Sequence, residues 1–338
     1  MSTDLPAEAS ATPKTVLVVG GSGFLGQFLV QELAAQYRVG FTYHSTEVPV
    51  FKGAVKSFWV NMATGEGLQE SLDELGPVDC VINCAALAAV LACEKDADAA
   101  RAINVPTKLL DALDVHKSTY GKEPLLIHVS TDQVYDGTKS WWSENDGANP
   151  INAYGRSKRE AEVTVQDRWP AHYILRSSII YGPQCPVAVS RLLFLQFIIK
   201  ALSEGKPTTF FDDEYRCPIY VKDIIEICKV LIERGRSDPD IKHRLFNMGG
   251  PERLSRADMA YAVAEVHGYD KSLVKCAPSS SVNRGVPNPA DLSMDVKRLV
   301  SELKVKLTPF RKALEDIQPA PPTDDEDAEA HNNKKASP

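Results

Sequence analysis

From about residue 15 onward, short uninterrupted apolar runs alternate with segments whose apolar residues fall at helical spacing. Thr15–Val19 reads as a strand with no polar face, and Phe24–Gln36 as a helix. Arg38–Tyr43, Val55–Val60 and Val78–Cys84 predict three more strands, the last followed by a helical stretch to about Leu113. Leu125–Ser130 is a fifth strand, Tyr154–Gln166 a charged amphipathic helix, and His172–Ser177 a sixth strand. Alternation of this kind predicts βαβ units, and hence an α/β fold built on a doubly wound parallel sheet. Past Gly182 the rhythm loosens where Pro183, Pro186, Pro207 and Pro218 interrupt it, and that part predicts a smaller α/β cap. Residues 1–13 and 319–338 carry too little apolar content to fold and are expected to be disordered tails.

Charge changes the picture little. The 338 residues hold 45 acidic and 38 basic side chains, a formal charge of −7. Residues 319–338 contribute five acids against two lysines, so the body is only slightly acidic. With no long basic run, a dedicated nucleic-acid binder is not expected. No stretch approaches the roughly 20 apolar residues that span a bilayer. The first residues lack the basic and apolar regions of a secretory leader. A cytoplasmic protein without membrane segments is therefore expected. The seven cysteines include no CxxC pair, and Cys80 and Cys84 lie within an apolar run, so they read as reduced and buried. No His, Cys, Asp or Glu cluster has metal-ligand spacing, and no metal is expected.

Candidate chemistry begins directly after the first strand, where Gly20, Gly23 and Gly26 form GxxGxxG. Glycines allow a tight strand-to-helix turn, and the helix opening at Phe24 and Leu25 presents its positive end to a pyrophosphate. The pattern sits in the right context for a dinucleotide cofactor. At the end of the second strand, Thr42-Tyr43-His44-Ser45 offers no acid before Glu47. A carboxylate there would favour NAD. Its absence favours NADP(H), with His44 and Ser45 near the ribose, although no arginine stands by for a 2′-phosphate and NAD(H) stays open. Asn61 and Met62, after the third strand, stand where adenine contacts are expected. The layout predicted is an NAD(P)-binding unit over 14–183, to which about 217–248 returns, and a cap from 184–216 and 249–318.

A Tyr four residues before a Lys on one helical face sets an ammonium beside a phenol and lowers the phenol's pKa, which suits proton exchange with a substrate oxygen. The YxxxK pattern occurs twice, at Tyr154–Lys158 and Tyr135–Lys139. Only the first has a helical context, with Asn152 placed to cap it. The second contains the turn pair Asp136-Gly137 and reads as a loop. At the end of the fifth strand stand Ser130 and Thr131, and Thr131 is the candidate to hydrogen-bond a substrate carbonyl. A strand-end cap for Thr131, and a solvated helix face for Tyr154 and Lys158, are the plainer readings.

Together these residues resemble the extended short-chain dehydrogenase/reductase family from about residue 15 to 318. The likeness also rests on Asn83-Cys84-Ala85-Ala86, on Asn104-Val105-Pro106-Thr107, on Ser130-Thr131-Asp132-Gln133-Val134-Tyr135, and on Arg176-Ser177 through Pro183. The resemblance implies cofactor contacts from Cys84, Ala85, Ala86, Asn104 and Ser177 as well as from Tyr154 and Lys158. Within the family the chain is similar to dTDP-4-dehydrorhamnose reductases and to the regulatory β subunits of methionine adenosyltransferase. The first branch implies hydride delivery from NADPH to a 4-keto sugar nucleotide, with Tyr154 as acid, Lys158 on the nicotinamide ribose and Thr131 orienting the carbonyl. The second implies an NADP-binding subunit that docks on the catalytic methionine adenosyltransferase without turnover. That docking uses an apolar, aromatic-containing tail, and residues 319–338 hold no aromatic residue, so the reductase is preferred. A dehydratase is disfavoured because Thr131-Asp132-Gln133 lacks the Asp-Glu pair its relatives use. In the cap, Arg216 and Arg284 are candidates for a bidentate clamp on a substrate phosphate, or for a salt bridge.

Overall fold

In the computed structural model, which describes residues 12–317 except 46, 50, 55, 190 and 191, Val16 and Val18 pack to one side of a central sheet and Leu17 and Val19 to the other. A strand buried on both faces needs apolar residues at every position, which is why its sequence does not alternate. The first six strands of the central sheet are β1 (Thr15–Val19), β2 (Arg38–Tyr43), β3 (Lys56–Trp59), β4 (Cys80–Asn83), β5 (Leu125–Thr131) and β6 (His172–Ser177). Then come β7 (Ile180–Tyr181), β8 (Thr208–Phe211), β9 (Tyr215–Arg216), β10 (Ile219–Tyr220), β11 (Leu245–Met248), β12 (Leu254–Ser255) and β13 (Val274–Ala277). The helices are α1 (Phe24–Leu33), α2 (Leu68–Leu75), α3 (Val90–Lys95), α4 (Ala97–Asn104), α5 (Thr107–Tyr120) and α6 (Ala153–Arg168). They continue as α7 (Phe194–Ser203), α8 (Val221–Arg234), α9 (Arg256–His267), α10 (Lys297–Leu303) and α11 (Phe310–Glu315).

Seven strands form one parallel sheet in the order β11-β6-β5-β4-β1-β2-β3. The order reverses between β1 and β4. In such sheets a crevice opens at the carboxyl ends of the strands where the winding changes direction. One face is covered by α1 and α8, the other by α2, α5 and α6. Beyond the sheet, three strand pairs β7–β10, β9–β12 and β8–β13 hold the second half of the chain together, with α9 against β8, β12 and β13.

The strand predictions agree closely with these bounds, while the helices differ in instructive ways. The first helix stops at Leu33 rather than Gln36. The long helical stretch ending near Leu113 is three helices that run to Tyr120, broken where Asp96 caps α4 through Ala99 N–H and where Pro106 precedes α5. Helix α2, absent from the sequence reading, is eight residues between Gly67 and Gly76, both at positive φ. The expected tails lie outside the described residues apart from Thr12 and Pro13, as does Val55 at the start of the expected third strand.

Candidate active site

At the end of β1 the chain turns through Gly20 at φ +84°, where a Cβ would come within 2.8 Å of the Ala85 backbone. A Cβ at Gly26 would lie 2.2 Å from the Gly20 carbonyl, so only glycine lets α1 start this close to the strand. The first-turn N–H groups of Phe24, Leu25 and Gly26 have no carbonyl one turn earlier to accept them, and the helix dipole adds partial positive charge there. Beside this turn lies a cleft of about 370 Å³. Gly20 and Gly23 line it from β1, His44 and Ser45 from the end of β2, and Asn61 and Met62 from beyond β3. Cys84, Ala85 and Ala86 close it from the end of β4. The Cys84 thiol donates to the Val19 carbonyl, and burial pushes its pKa up to about 12, so it packs as a neutral group. The glycine cradle, the orphan N–H groups and the apolar wall fit the pyrophosphate and adenosine of a nicotinamide dinucleotide.

Helix α6 carries the second part of the site. The Asn152 side chain accepts from Gly155 N–H at 2.9 Å, and its Nδ2 donates to Gln133 Oε1 and to the Pro287 carbonyl. Gly155 is glycine because a Cβ there would sit 2.2 Å from the Gln133 carbonyl. This close approach sets Tyr154 next to the 3₁₀ turn Asp132–Val134, which Thr131 caps by accepting from Gln133 N–H. Tyr154 is buried against Cys93 and Ala100. One turn on, Lys158 is almost wholly buried, donates to the Val129 carbonyl at 2.7 Å and lies 3.3 Å from His128 Nε2. Burial pushes the Lys158 ammonium down to about 8, against the opposing pull of Glu162 and Cys84. Burial and the Lys158 charge likewise push the His128 imidazole well below its ordinary range, so it is neutral.

The helix is pinned by a buried ion pair. Arg176 on β6 meets Glu162 through Nε (2.9 Å) and Nη2 (2.7 Å), and Ser130 Oγ donates to the same carboxylate at 2.6 Å. Burial raises the Glu162 carboxyl, but the hydrogen bonds and charge of Arg176 outweigh it and hold the group below the usual carboxylate range. Tyr135, from the other YxxxK, is spent on structure. It accepts from Arg176 Nη1, donates to Asn247 Oδ1 and stacks on Trp142, while Lys139 pairs with Asp146 at the surface.

Of the residues named from sequence, Phe24, Leu25, Gly26, Asn104, Thr131, Tyr154, Lys158, Ser177, Arg216 and Arg284 lie outside the cleft lining. Asn104 pins Leu87 by two hydrogen bonds and Ser157 by a third, so it shapes the wall from behind. Ser177, paired in register with Thr131, donates to the Ser178 carbonyl. Arg216 is buried and donates to the carbonyls of Tyr215, Pro289 and Ala290. Arg284 pairs with the buried carboxylate of Glu214. Near both stands Arg256, unmarked by any motif, stacked 4.5 Å over Phe194, with its pKa lowered to about 10 by burial and by Arg216. Gln27, His128 and Arg256 carry no sequence signal because their partners are distant in the chain. Among the described residues no helix is long and apolar enough to cross a membrane, and no three His, Cys, Asp or Glu side chains gather as a metal site.

Residues 14–320 match the family model described as the RmlD substrate binding domain. The chain belongs to that family. Among relatives of this RmlD-family chain is the probable low-salt glycan biosynthesis reductase Agl14 of Haloferax volcanii, 31% identical over 290 residues, spanning 85% of this chain and 91% of the relative. Methionine adenosyltransferase 2 subunit beta of Mus musculus is 25% identical over 309 residues, 91% of this chain and 88% of that one. The dTDP-4-dehydrorhamnose reductase of Bacillus anthracis, solved in complex with NADP, superposes with a TM-score of 0.73 at 21% identity, over 90% of this chain and 99% of that one.

Proposed function

We propose that the chain is an NADP(H)-dependent reductase of a 4-keto sugar nucleotide, acting through Thr131, Tyr154 and Lys158. The observation that carries this reading is the join between α6 and the end of β5, which sets Tyr154 beside the turn capped by Thr131 with buried Lys158 one helical turn away. Likeness to a glycan biosynthesis reductase over most of both chains supports it. When bound, the nicotinamide supplies the hydride. Tyr154 gives the proton to the substrate oxygen, and the Lys158 ammonium favours the phenolate left behind. Thr131 orients the carbonyl. One Lys158 N–H is spent on the Val129 carbonyl, which leaves donors for a cofactor ribose hydroxyl. Residues 14–183 and about 217–248 hold the cofactor in this reading, and 184–216 with 249–318 hold the sugar nucleotide. Arg216, Glu214, Asp132 and Arg284 all act electrostatically on Arg256, three cations against two acids, which suits a diphosphate.

The likeness to methionine adenosyltransferase β subunits favours a second reading, a non-catalytic NADP-binding subunit that docks on the catalytic methionine adenosyltransferase. One assay separates the two. Loss of NADPH absorbance is followed with a dTDP-4-keto-6-deoxy sugar and purified protein. Oxidation that requires the sugar and disappears in Tyr154→Phe supports the reductase. Tight NADP binding without turnover, together with capture of methionine adenosyltransferase, overturns it in favour of the regulatory subunit.

A further inference from the structure

Asn83, the last residue of β4, and His128 on β5 are register partners across the two strands, and both side chains are buried. Asn83 Oδ1 accepts from the N–H of Ala85, in the wall of the cleft, at 3.3 Å. Turned the other way, the amide would set its own donors against that N–H, so its orientation is fixed. Nδ2 therefore faces His128 Nδ1 as a donor, 3.2 Å away. A donor there requires a bare Nδ1, and a neutral imidazole carries a single proton. That proton sits on Nε2, 3.3 Å from Lys158 Nζ, which itself donates to the Val129 carbonyl. Other titratable groups act on the pair from neighbouring elements: Cys84 beyond β4 and Glu162 on α6 act on Lys158, and His172 on β6 acts on His128. Cys84 is neutral, Glu162 is held by Arg176 and Ser130, and His172 is turned to the Trp169 carbonyl. Tyr154 stands one turn before Lys158 on α6.

We infer that Asn83 and His128 are positioning residues for Lys158: the amide fixes the ring proton on Nε2, and that N–H dictates where the lysine's hydrogens point and how firmly the last of them is held. An ammonium cannot aim a hydrogen at a ring N–H, so those beyond the one on Val129 are directed away from His128. Loss of a proton gives Nζ a lone pair, which accepts from Nε2–H. A donor at Nε2 thus favours the amine, where an acceptor in the same place would favour the ammonium. The effect on turnover rests on the reductase reading, in which the Lys158 charge favours the Tyr154 phenolate. In that reading the proton placed on His128 sets the alkaline limit of the reaction. The same row joins the cleft wall at Ala85 to the lysine through two side chains that line no part of the cleft.

The test is nitrogen NMR of the full chain, labelled at histidine and free of cofactor, from neutral pH into mild alkali. The His128 ring is assigned by its loss in His128→Gln and by cross-peaks to the Lys158 ε-methylene, so the wild-type spectrum decides the tautomer whether or not a variant folds. Shifts that mark a proton on Nε2 and a bare Nδ1 are expected. A proton on Nδ1, or an imidazolium at neutral pH, would overturn the inference. The second arm is Asn83→Asp, whose carboxylate accepts from both the Ala85 N–H and the ring. It should move the ring proton to Nδ1 and leave Nε2 to accept from Lys158. The Lys158 titration, followed on its ε-carbon, should lie near 8 in wild type and rise by about one to two pH units in the variant, as suits a hydrogen bond to a charged group. Asn83→Asp combined with His128→Phe isolates the effect of the new charge, and an equal rise there would overturn the coupling through the ring. Turnover of NADPH is measured last, and its alkaline limb should follow the Lys158 titration. The expected tautomer in a chain without turnover would overturn the reductase reading and leave this inference standing.

Discussion

The carboxamide of Gln27 meets both backbone groups of Val187, 160 residues further along the chain. Val187 N–H donates to Oε1, and Nε2 donates to the Val187 carbonyl, each at 2.9 Å. Nε2 also donates to the Ser22 carbonyl at 3.0 Å, so one fully buried side chain ties the glycine turn to the segment that brings Ala188 and Val189 over the cleft. Replacing Gln27 by Glu keeps the shape and removes the donor, leaving two carbonyls facing a carboxylate. Affinity for NADP⁺ should fall roughly tenfold, since an unmade buried hydrogen bond costs about 1–3 kcal/mol. An unchanged dissociation constant by fluorescence titration would mean that the segment does not need its tie.

Tyr154→Phe should lower kcat by roughly 10²–10⁴ while leaving NADP⁺ binding within a few-fold, the range expected for loss of a general acid. Tyr135→Phe should do the opposite. Its hydroxyl bridges Arg176 and Asn247, so the variant should lose about 1–3 kcal/mol of stability and keep its turnover per folded molecule. Denaturant unfolding and steady-state rates on both variants check this, and equal rate losses would erase the distinction between the two YxxxK sites.

Lys158 gives the fold a pH dependence of a particular sign. Its ammonium is harder to keep charged in the folded chain, at about 8, than in the unfolded chain, near 10.5. Between those values the unfolded state binds more protons, so stability rises with pH through this window. Wild type should gain on Lys158→Met by roughly 2 kcal/mol between pH 7 and 9.5, an order-of-magnitude figure for a buried group. Parallel pH profiles in urea would show that Lys158 is not desolvated in solution.

Glu162→Gln should be the most damaging single change on α6. It leaves the nearly inaccessible Arg176 guanidinium without its counter-charge, and breaking one side of a buried pair costs about 3–5 kcal/mol. Thermal melts compared with Glu160→Gln, whose pair with Arg101 is exposed and screened by solvent, give the contrast. Similar melting temperatures for the two variants would refute it.

Much of the sheet could be read in advance because its strands are buried on both faces, and runs such as Thr15–Val19 and His172–Ser177 then have no polar interruption. Strand β11 is harder to see. Its Asn247 is a buried polar residue held by Trp142 and Tyr135, so its apolar run is broken for a tertiary reason. Helix α2 hides between glycines that look like loop. The site divides the same way. Gly20, Gly26 and Tyr154 announce themselves because local backbone geometry or helical spacing demands those residue types. The tie of Gln27 to Val187 and the stacking of His44 on Trp59 depend on strand order, which no local window contains.

Strand β8 pairs with β13 and β9 with β12, yet β11, which completes the central sheet beside β6, lies between those partners in the chain. During synthesis the main sheet can therefore close while β8 and β9 still wait, their edges bare, for residues not yet emerged from the ribosome. A nascent chain whose residues have emerged to about position 250 would carry a finished sheet and unpaired strands able to pair with a neighbour's. Between the emergence of β11 and that of β13, those bare edges are open to pairing with another chain's.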